Sequence, residues 1–191
     1  MSMYEKILEI LDKKGPLSIP IICDEINQNA KSFGEDEKPV KEAHIKSVIS
    51  RKKELFTVKD DIVSILPEKE FLCLKVVQEM SGSWQKLNVD FIKSRFIVFE
   101  WHSEQFQSFS TPSETIGSVD ELKKELYRMK IWDWESNDEQ AKNVQDELRW
   151  SIKLETKGKT FIKNGIQTHP KEWKKLCQSI SKLIGKSFSR I

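Results

Sequence analysis

The chain has 191 residues, 38% of them hydrophobic and 32% charged, and its formal net charge is +2. That much apolar material can form a core, which excludes a wholly disordered chain, and the near balance of charge excludes a protein that coats nucleic acid by bulk charge alone. No apolar run approaches the roughly 18 residues of a membrane span, and Met1 to Asp12 carries Glu5, Glu9 and Asp12 where a signal peptide would start basic.

In chain order, Tyr4, Ile7, Leu8 and Leu11 recur at helical spacing, and Gly15-Pro16 stops that helix. Ser18 is placed to cap a second helix carrying Ile21, Ile22 and Ile26. Asn27, Asn29, Ser32 and Gly34 then read as a polar connection. The third helix is expected to start near Pro39, which suits a first turn because proline lacks the donor that would be orphaned there. It carries Ile45, Val48 and Ile49 on one face. Leu55 to Val58 and Ile62 to Leu66 are β-rich runs, with Lys59-Asp60-Asp61 as the turn between them. Pro67, which cannot donate to a ladder, marks a boundary between domains at 1–67 and 68–191.

Three helices and a hairpin is the order of a winged helix-turn-helix. Over roughly residues 3–66 the chain resembles the HARE-type winged helix. The likeness rests on the helix before Gly15-Pro16, on Ile21-Ile22-Cys23-Asp24-Glu25-Ile26, and on Ile45-Lys46-Ser47-Val48-Ile49-Ser50-Arg51-Lys52-Lys53-Glu54-Leu55-Phe56. That family occurs in chromatin proteins, in an RNA polymerase subunit and beside restriction enzymes. The resemblance implies DNA binding, or coupling of proteins to DNA-acting machinery.

With Ile45, Val48, Ile49 and Lys52 turned inward, 100° per residue places Ala43, Lys46, Ser47, Ser50 and Glu54 on the opposite side, with Arg51 at its margin. Small and hydroxylic residues flanked by Lys46 and Arg51 suit a major groove, where Ser47 and Ser50 meet base edges and the cations meet phosphate or guanine. Lys38, Lys41, Lys53 and Lys59 are the expected backbone contacts. The competing readings are a solvated helix face, or a winged helix used for protein contact. Glu42, Glu54, Asp60, Asp61 and the Glu35-Asp36-Glu37 run would all repel phosphate.

The second domain reads as a small antiparallel sheet with helices. Phe96 to His102 is β-rich, with Phe106 to Phe109 as a candidate return strand. Ser118 caps a helix from Val119 to Met129, with Glu121 at the reciprocal position and Leu122, Leu126 and Met129 as its stripe. Ile131 to Trp134 follows as a short strand or turn. Ser136 to Gln145 reads as a surface loop. Trp150, Ile152 and Leu154 alternate inward along Trp150 to Thr156, and Lys157-Gly158-Lys159 turns into Thr160 to Lys163. Pro170 opens a last helix, about Lys171 to Leu183, with Trp173, Leu176, Cys177, Ile180 and Ile184 inward. Phe71 to Val77 fits helix or strand. The run from Ile131 to Trp173 resembles a module of uncharacterised bacterial proteins, which implies no activity. Trp132, Trp134, Trp150 and Trp173 read as core.

Charge divides unevenly: −1 over residues 1–67, −5 over 68–150 and +8 over 151–191. Lys171, Lys174, Lys175 and Lys182 therefore form a candidate secondary basic patch. Cys23, Cys73 and Cys177, odd in number and far apart, fit free thiols in a reducing cytoplasm. With His44, His102 and His169 they show no zinc spacing. Gly185-Lys186-Ser187 lacks the opening glycine of a phosphate loop, and no cofactor is expected. His102-Ser103-Glu104 cannot form a relay, because neighbours on a strand face opposite ways. Glu155-Thr156-Lys157, with Asp133 or Asp146 upstream, has the residue types of a Mg²⁺-dependent nuclease. Its outward face on a hairpin makes ordinary cross-strand pairing the simpler reading.

The expectation is an α+β protein: a winged helix-turn-helix followed by a basic-rimmed α+β domain. It would act in the cytoplasm as a non-catalytic DNA-binding regulator or accessory factor. The alternatives are a protein-interaction scaffold and a nuclease using Glu155 and Lys157.

Overall fold

A computed structural model describes residues 1–32, 38–80, 82–102, 109–112, 117–136 and 148–188. The protein is α+β, with five α-helices and two antiparallel sheets among the described residues. It divides into two compact units, Met1–Glu70 and Phe71–Ile191. No described helix is long and apolar enough to cross a membrane.

The first unit begins with α1 (Met3–Lys14), whose start is closed by the Ser2 amide donating to Glu5 Oε2 at 2.8 Å. Gly15 ends it at φ 78°, a conformation that favours glycine. The two-residue strand β1 (Leu17–Ser18) leads into α2 (Ile19–Ser32), and α3 (Glu42–Arg51) follows. β2 (Phe56–Lys59) and β3 (Ile62–Ile65) form a hairpin. Its turn residues Asp60 and Asp61 both lie at positive φ, 51° and 59°, as a two-residue hairpin turn of matching twist requires. The sheet order is β1-β3-β2. Ile7, Leu11, Ile22, Ile26, Ile45, Ile49 and Val63 are buried together in this unit, each contributing about 1.5–3 kcal/mol before entropy.

Four local expectations change here. Ser18 belongs to β1, pairing with Ile62 just ahead of α2. Ile21 is 46% exposed while Ile22, Cys23 and Ile26 are buried, because the inward stripe of α2 runs through those three. Asn27 and Asn29 lie inside α2 instead of in a connection. Pro39 precedes α3, whose first helical residue is Glu42. Val40 between them has its amide and carbonyl bound by the Asn27 carboxamide, at 2.7 and 3.1 Å, so the helix starts only beyond it.

The second unit is built on a six-stranded antiparallel sheet, larger than expected. Its strands are β4 (Phe71–Met80), β5 (Ser83–Asp90), β6 (Arg95–His102), β7 (Phe109–Pro112), β8 (Arg149–Thr156) and β9 (Thr160–Ile166), in the order β7-β6-β5-β4-β8-β9. The ambiguous run from Phe71 is thus a central strand. Residues 106–108 of the expected return strand lie outside the described residues, as do 137–145 of the expected loop.

The helices α4 (Val119–Met129) and α5 (Trp173–Ile184) contribute to the core on one face of the sheet. Ser118 Oγ accepts from the Glu121 amide at 3.2 Å as the cap of α4. Ile131–Asp133 is a single 3₁₀ turn. Phe71 stacks on Tyr127 at 4.4 Å, and Trp150 meets Trp173 at 5.2 Å. Trp132, Trp134, Trp150 and Trp173 are all buried. α5 begins two residues later than expected, with Lys171 and Glu172 in the turn after Pro170.

Candidate nucleic-acid interface

α3 buries Ile45, Val48 and Ile49 and leaves Ala43, Lys46, Ser47, Ser50 and Arg51 exposed. The helical period sets Ala43, Ser47 and Ser50 along the middle of the outer face, with Lys46 and Arg51 on either flank. The Arg51 side chain lies along the helix, its Nε donating to the Ser47 carbonyl at 3.2 Å. Lys52 is held at the inner edge, 4.9 Å over the Tyr4 ring and 3.5 Å from Glu54 Oε1.

Lys41 occupies the cap position of α3 in an extended conformation, and no side chain caps the helix there. A lysine cannot accept a hydrogen bond, so it leaves the first-turn amides unserved by its own side chain while adding positive charge beside them. Glu42, the next residue, sets a carboxylate at the same end. Lys38 is exposed ahead of the helix, Lys53 is exposed in the turn after it, and Lys59 is the exposed last residue of β2 beside the hairpin turn. Lys38, Lys41, Lys46, Lys53 and Lys59 take part in no ion pair among the described residues. Of the repelling carboxylates, Glu54 is drawn to Lys52, Asp60 and Asp61 share the turn next to Lys59, and Glu35 to Glu37 lie outside the described residues.

In the second unit Lys174, Lys175 and Lys182 are exposed on α5, and Lys171 is exposed in the turn before it. The field of this patch is partly spent within the fold: Lys175 reaches Glu125 Oε2 at 3.3 Å and Lys186 reaches Glu100 Oε2 at 2.9 Å.

Glu155 lies in β8 opposite Cys73, and its Oε1 is 2.6 Å from Lys153 Nζ. That bond holds the Glu155 carboxyl below its usual range, against a smaller opposing effect of burial. Thr156 is a turn-closing residue: its Oγ1 donates to the Lys159 carbonyl at 2.7 Å and accepts from the Lys159 amide at 3.0 Å. Lys157 lies in that turn. Asp133 lines a cleft of about 530 Å³ with Trp134, Trp150 and His169, and Glu155 does not line it; Asp146 lies outside the described residues.

Cys23 and Cys177 are buried and Cys73 is half-buried. Burial first, then Asp24 for Cys23 and Asp90 for Cys73, pushes both thiols above their usual range, away from the thiolate a metal or nucleophile role needs. Among the described residues no group of three His, Cys, Asp or Glu could hold a metal ion. Gly185 caps the C-terminus of α5 at φ 69°, the helix end that repels phosphate. His102 ends β6, while Ser103 and Glu104 lie outside the described residues.

Trp84 has no place in the sequence reading, and Phe99 and Trp101 enter it only as part of the β-rich run Phe96 to His102. They stand on the sheet face opposite Leu87 and Val89. The alternation of apolar Leu87 and Val89 with polar Lys86, Asn88 and Asp90 is the signal that would have located them. Comparison with protein-family models, curated proteins and solved structures finds no match to this chain.

Proposed function

We propose that the first unit is a winged helix-turn-helix of the HARE type that binds duplex DNA, and that the chain is a non-catalytic cytoplasmic regulator or accessory factor. The observation that carries this reading is the outer face of α3. Ser47 and Ser50 lie between Lys46 and Arg51 on a helix anchored from behind by Ile45, Val48 and Ile49. Side chains this short allow close approach to base edges. Lys38, Lys41, Lys53 and Lys59 are the backbone contacts in this reading, and they take part in no ion pair among the described residues, which leaves their charge available to phosphate. The β2–β3 hairpin is the wing, bringing Lys59 to an adjacent stretch of backbone. Lys171, Lys174 and Lys182 add a weaker, sequence-independent attraction.

The test is a salt titration of the whole chain against labelled random duplex. Replacing Lys46 and Arg51 together with Glu should abolish most duplex affinity at low salt, while Lys59→Ala should lower the slope of log K against log salt by about 1. Unchanged affinity in the double variant would sink the proposal.

A second reading, a scaffold that uses the wing to hold a protein, draws support from Val58 and Ile62, which are 48% and 40% exposed on the hairpin. It predicts no salt-sensitive shift of duplex, and co-purification of a partner that is lost on Val58→Asp. The nuclease reading predicts Mg²⁺-dependent cleavage abolished by Glu155→Ala.

A further inference from the structure

Side chains alternate across the six-stranded sheet, and the pairing register sorts its non-helix face into rows. Arg149, Glu79, Trp84 and Trp101 make the first row across β8, β4, β5 and β6. Ser151, Val77, Lys86 and Phe99 make the second. Lys153, Lys75, Asn88 and Ile97 make the third, and Glu155, Cys73, Asp90 and Arg95 the fourth. All carboxylates of these strands on this face stand in the first and fourth rows. The two middle rows hold Lys75, Lys86 and Lys153 and no acid.

Two of the three outer carboxylates are also ion-paired. Asp90 Oδ2 lies 3.9 Å from Arg95 Nε, Glu155 is bonded to Lys153, and Glu79 is the register partner of Arg149. Lys75 and Lys86 take part in no ion pair among the described residues, and Lys86 Nζ sits 5.7 Å over the Phe99 ring. Trp84, Phe99 and Trp101 are half-buried and neighbouring on β5 and β6. Ile97 is 44% exposed and, beyond β8, Ile162 is 63% exposed at the other end of the third row.

We propose that this face binds single-stranded nucleic acid. Bases would stack on Trp84, Phe99 and Trp101, and phosphates would track Lys86, Lys75 and Lys153. Charge complementarity selects this occupant. Lys75 and Lys86, which take part in no ion pair among the described residues, stand in the acid-free middle rows beside half-buried rings, and this combination matches a polyanion carrying planar bases. A duplex hides its base faces within the stack and offers these rings nothing to cover. This surface belongs to the second unit and α3 to the first, so the inference does not rest on duplex binding by α3.

The experiment uses the whole chain and labelled oligothymidine and oligouridine of about 20 nucleotides, with an abasic strand of equal length as the base-free control. Both base-bearing strands should bind with salt-dependent affinity, and the abasic strand about tenfold more weakly. Lys75→Glu with Lys86→Glu, the first exposed and the second half-buried, should cost about tenfold or more for the base-bearing strands. Phe99→Ala should reduce base-bearing affinity while leaving abasic affinity unchanged. The Lys46→Glu, Arg51→Glu variant should retain single-strand affinity, which separates this site from α3. Thermal unfolding controls for the fold, and Lys86→Gln, which removes the charge and keeps a polar side chain, serves if Phe99→Ala melts early. Equal affinity for abasic and base-bearing strands, or single-strand affinity untouched by the lysine reversal, overturns the proposal. So does loss of all single-strand binding in the α3 variant. A dimer dissociated by the lysine reversal, without strand binding, would assign the face to a second copy and overturn it too.

Discussion

His169 stacks on Trp173 with ring centroids 5.0 Å apart and 23° between their planes. Neither the imidazole Nε2 nor the indole Nε1 has a hydrogen-bond partner among the described residues. Trp150, whose Nε1 donates to the Thr168 carbonyl at 2.7 Å, completes the cluster at the start of α5. Burial pushes His169 below its ordinary value of 6.5.

A histidine that is harder to protonate when folded gives the unfolded chain the greater proton affinity. Its effect on stability is absent above about 6.5. Stability falls as pH drops below that value and continues to fall until the folded group protonates. Urea unfolding between neutral pH and pH about 5 should show the loss, and His169→Phe should flatten that part of the profile. An identical pH dependence in the variant would rule His169 out as its source.

Asn27 ties α2 to the residue pair before α3 by holding both backbone groups of Val40, and the Cys23 thiol adds a contact to the same carbonyl at 3.0 Å. Asn27→Ala leaves two part-buried polar groups to find other partners. It should cost about 1–3 kcal/mol of stability. Asn27→Asp keeps the acceptor for the Val40 amide and should cost less. Chemical denaturation ranks the two, and equal losses would mean that the new carboxylate oxygen facing the Val40 carbonyl cancels the retained amide bond.

Two glycines are required by space. A Cβ on Gly117 would stand 2.6 Å from Leu183 Cα and 2.6 Å from the Lys182 carbonyl oxygen, both backbone atoms of α5. A Cβ on Gly165 would meet the Trp150 ring at 2.7 Å. Gly117→Ala must displace a helix, while Gly165→Ala asks a packed indole to shift. Each should lower stability by about 1–3 kcal/mol, with Gly117→Ala the more severe in a thermal melt.

Cys23 should react slowly with a thiol reagent at neutral pH, because it is buried and its thiol ionises above the usual range. Alkylation followed by mass spectrometry should show Cys23 labelled only with unfolding of α2, at a rate that rises with denaturant. Rapid labelling in native buffer would contradict the burial of that helix face.

The amino-acid pattern alone located α1, most of α3, the β2–β3 hairpin, α4, β8 and α5. Each is announced by a local signal: a three-four spacing, a cap such as Ser118, a stop such as Gly15-Pro16, or the alternation from Trp150 to Leu154. It also brought Lys46, Ser47, Ser50 and Arg51 to one side of a helix, since helical period is a property of the chain itself. It left β1 unseen, because two residues have no period and Leu17–Ser18 are a strand only through pairing with Val63 and Ile62. Asn27 read as a loop residue because its partner, Val40, lies 13 positions away.

Phe71 to Val77 was ambiguous for a related reason. A central strand under a helical layer carries an apolar run whose period is blurred. Only pairing with β5 and β8 made it a strand and set Lys75 between Lys153 and Asn88. Local pattern determines which residues form an element and which side is apolar. Which side chains from distant elements become neighbours is set by nonlocal register, and so the grouping of Trp84, Phe99 and Trp101 with the lysines was decided by the tertiary structure alone.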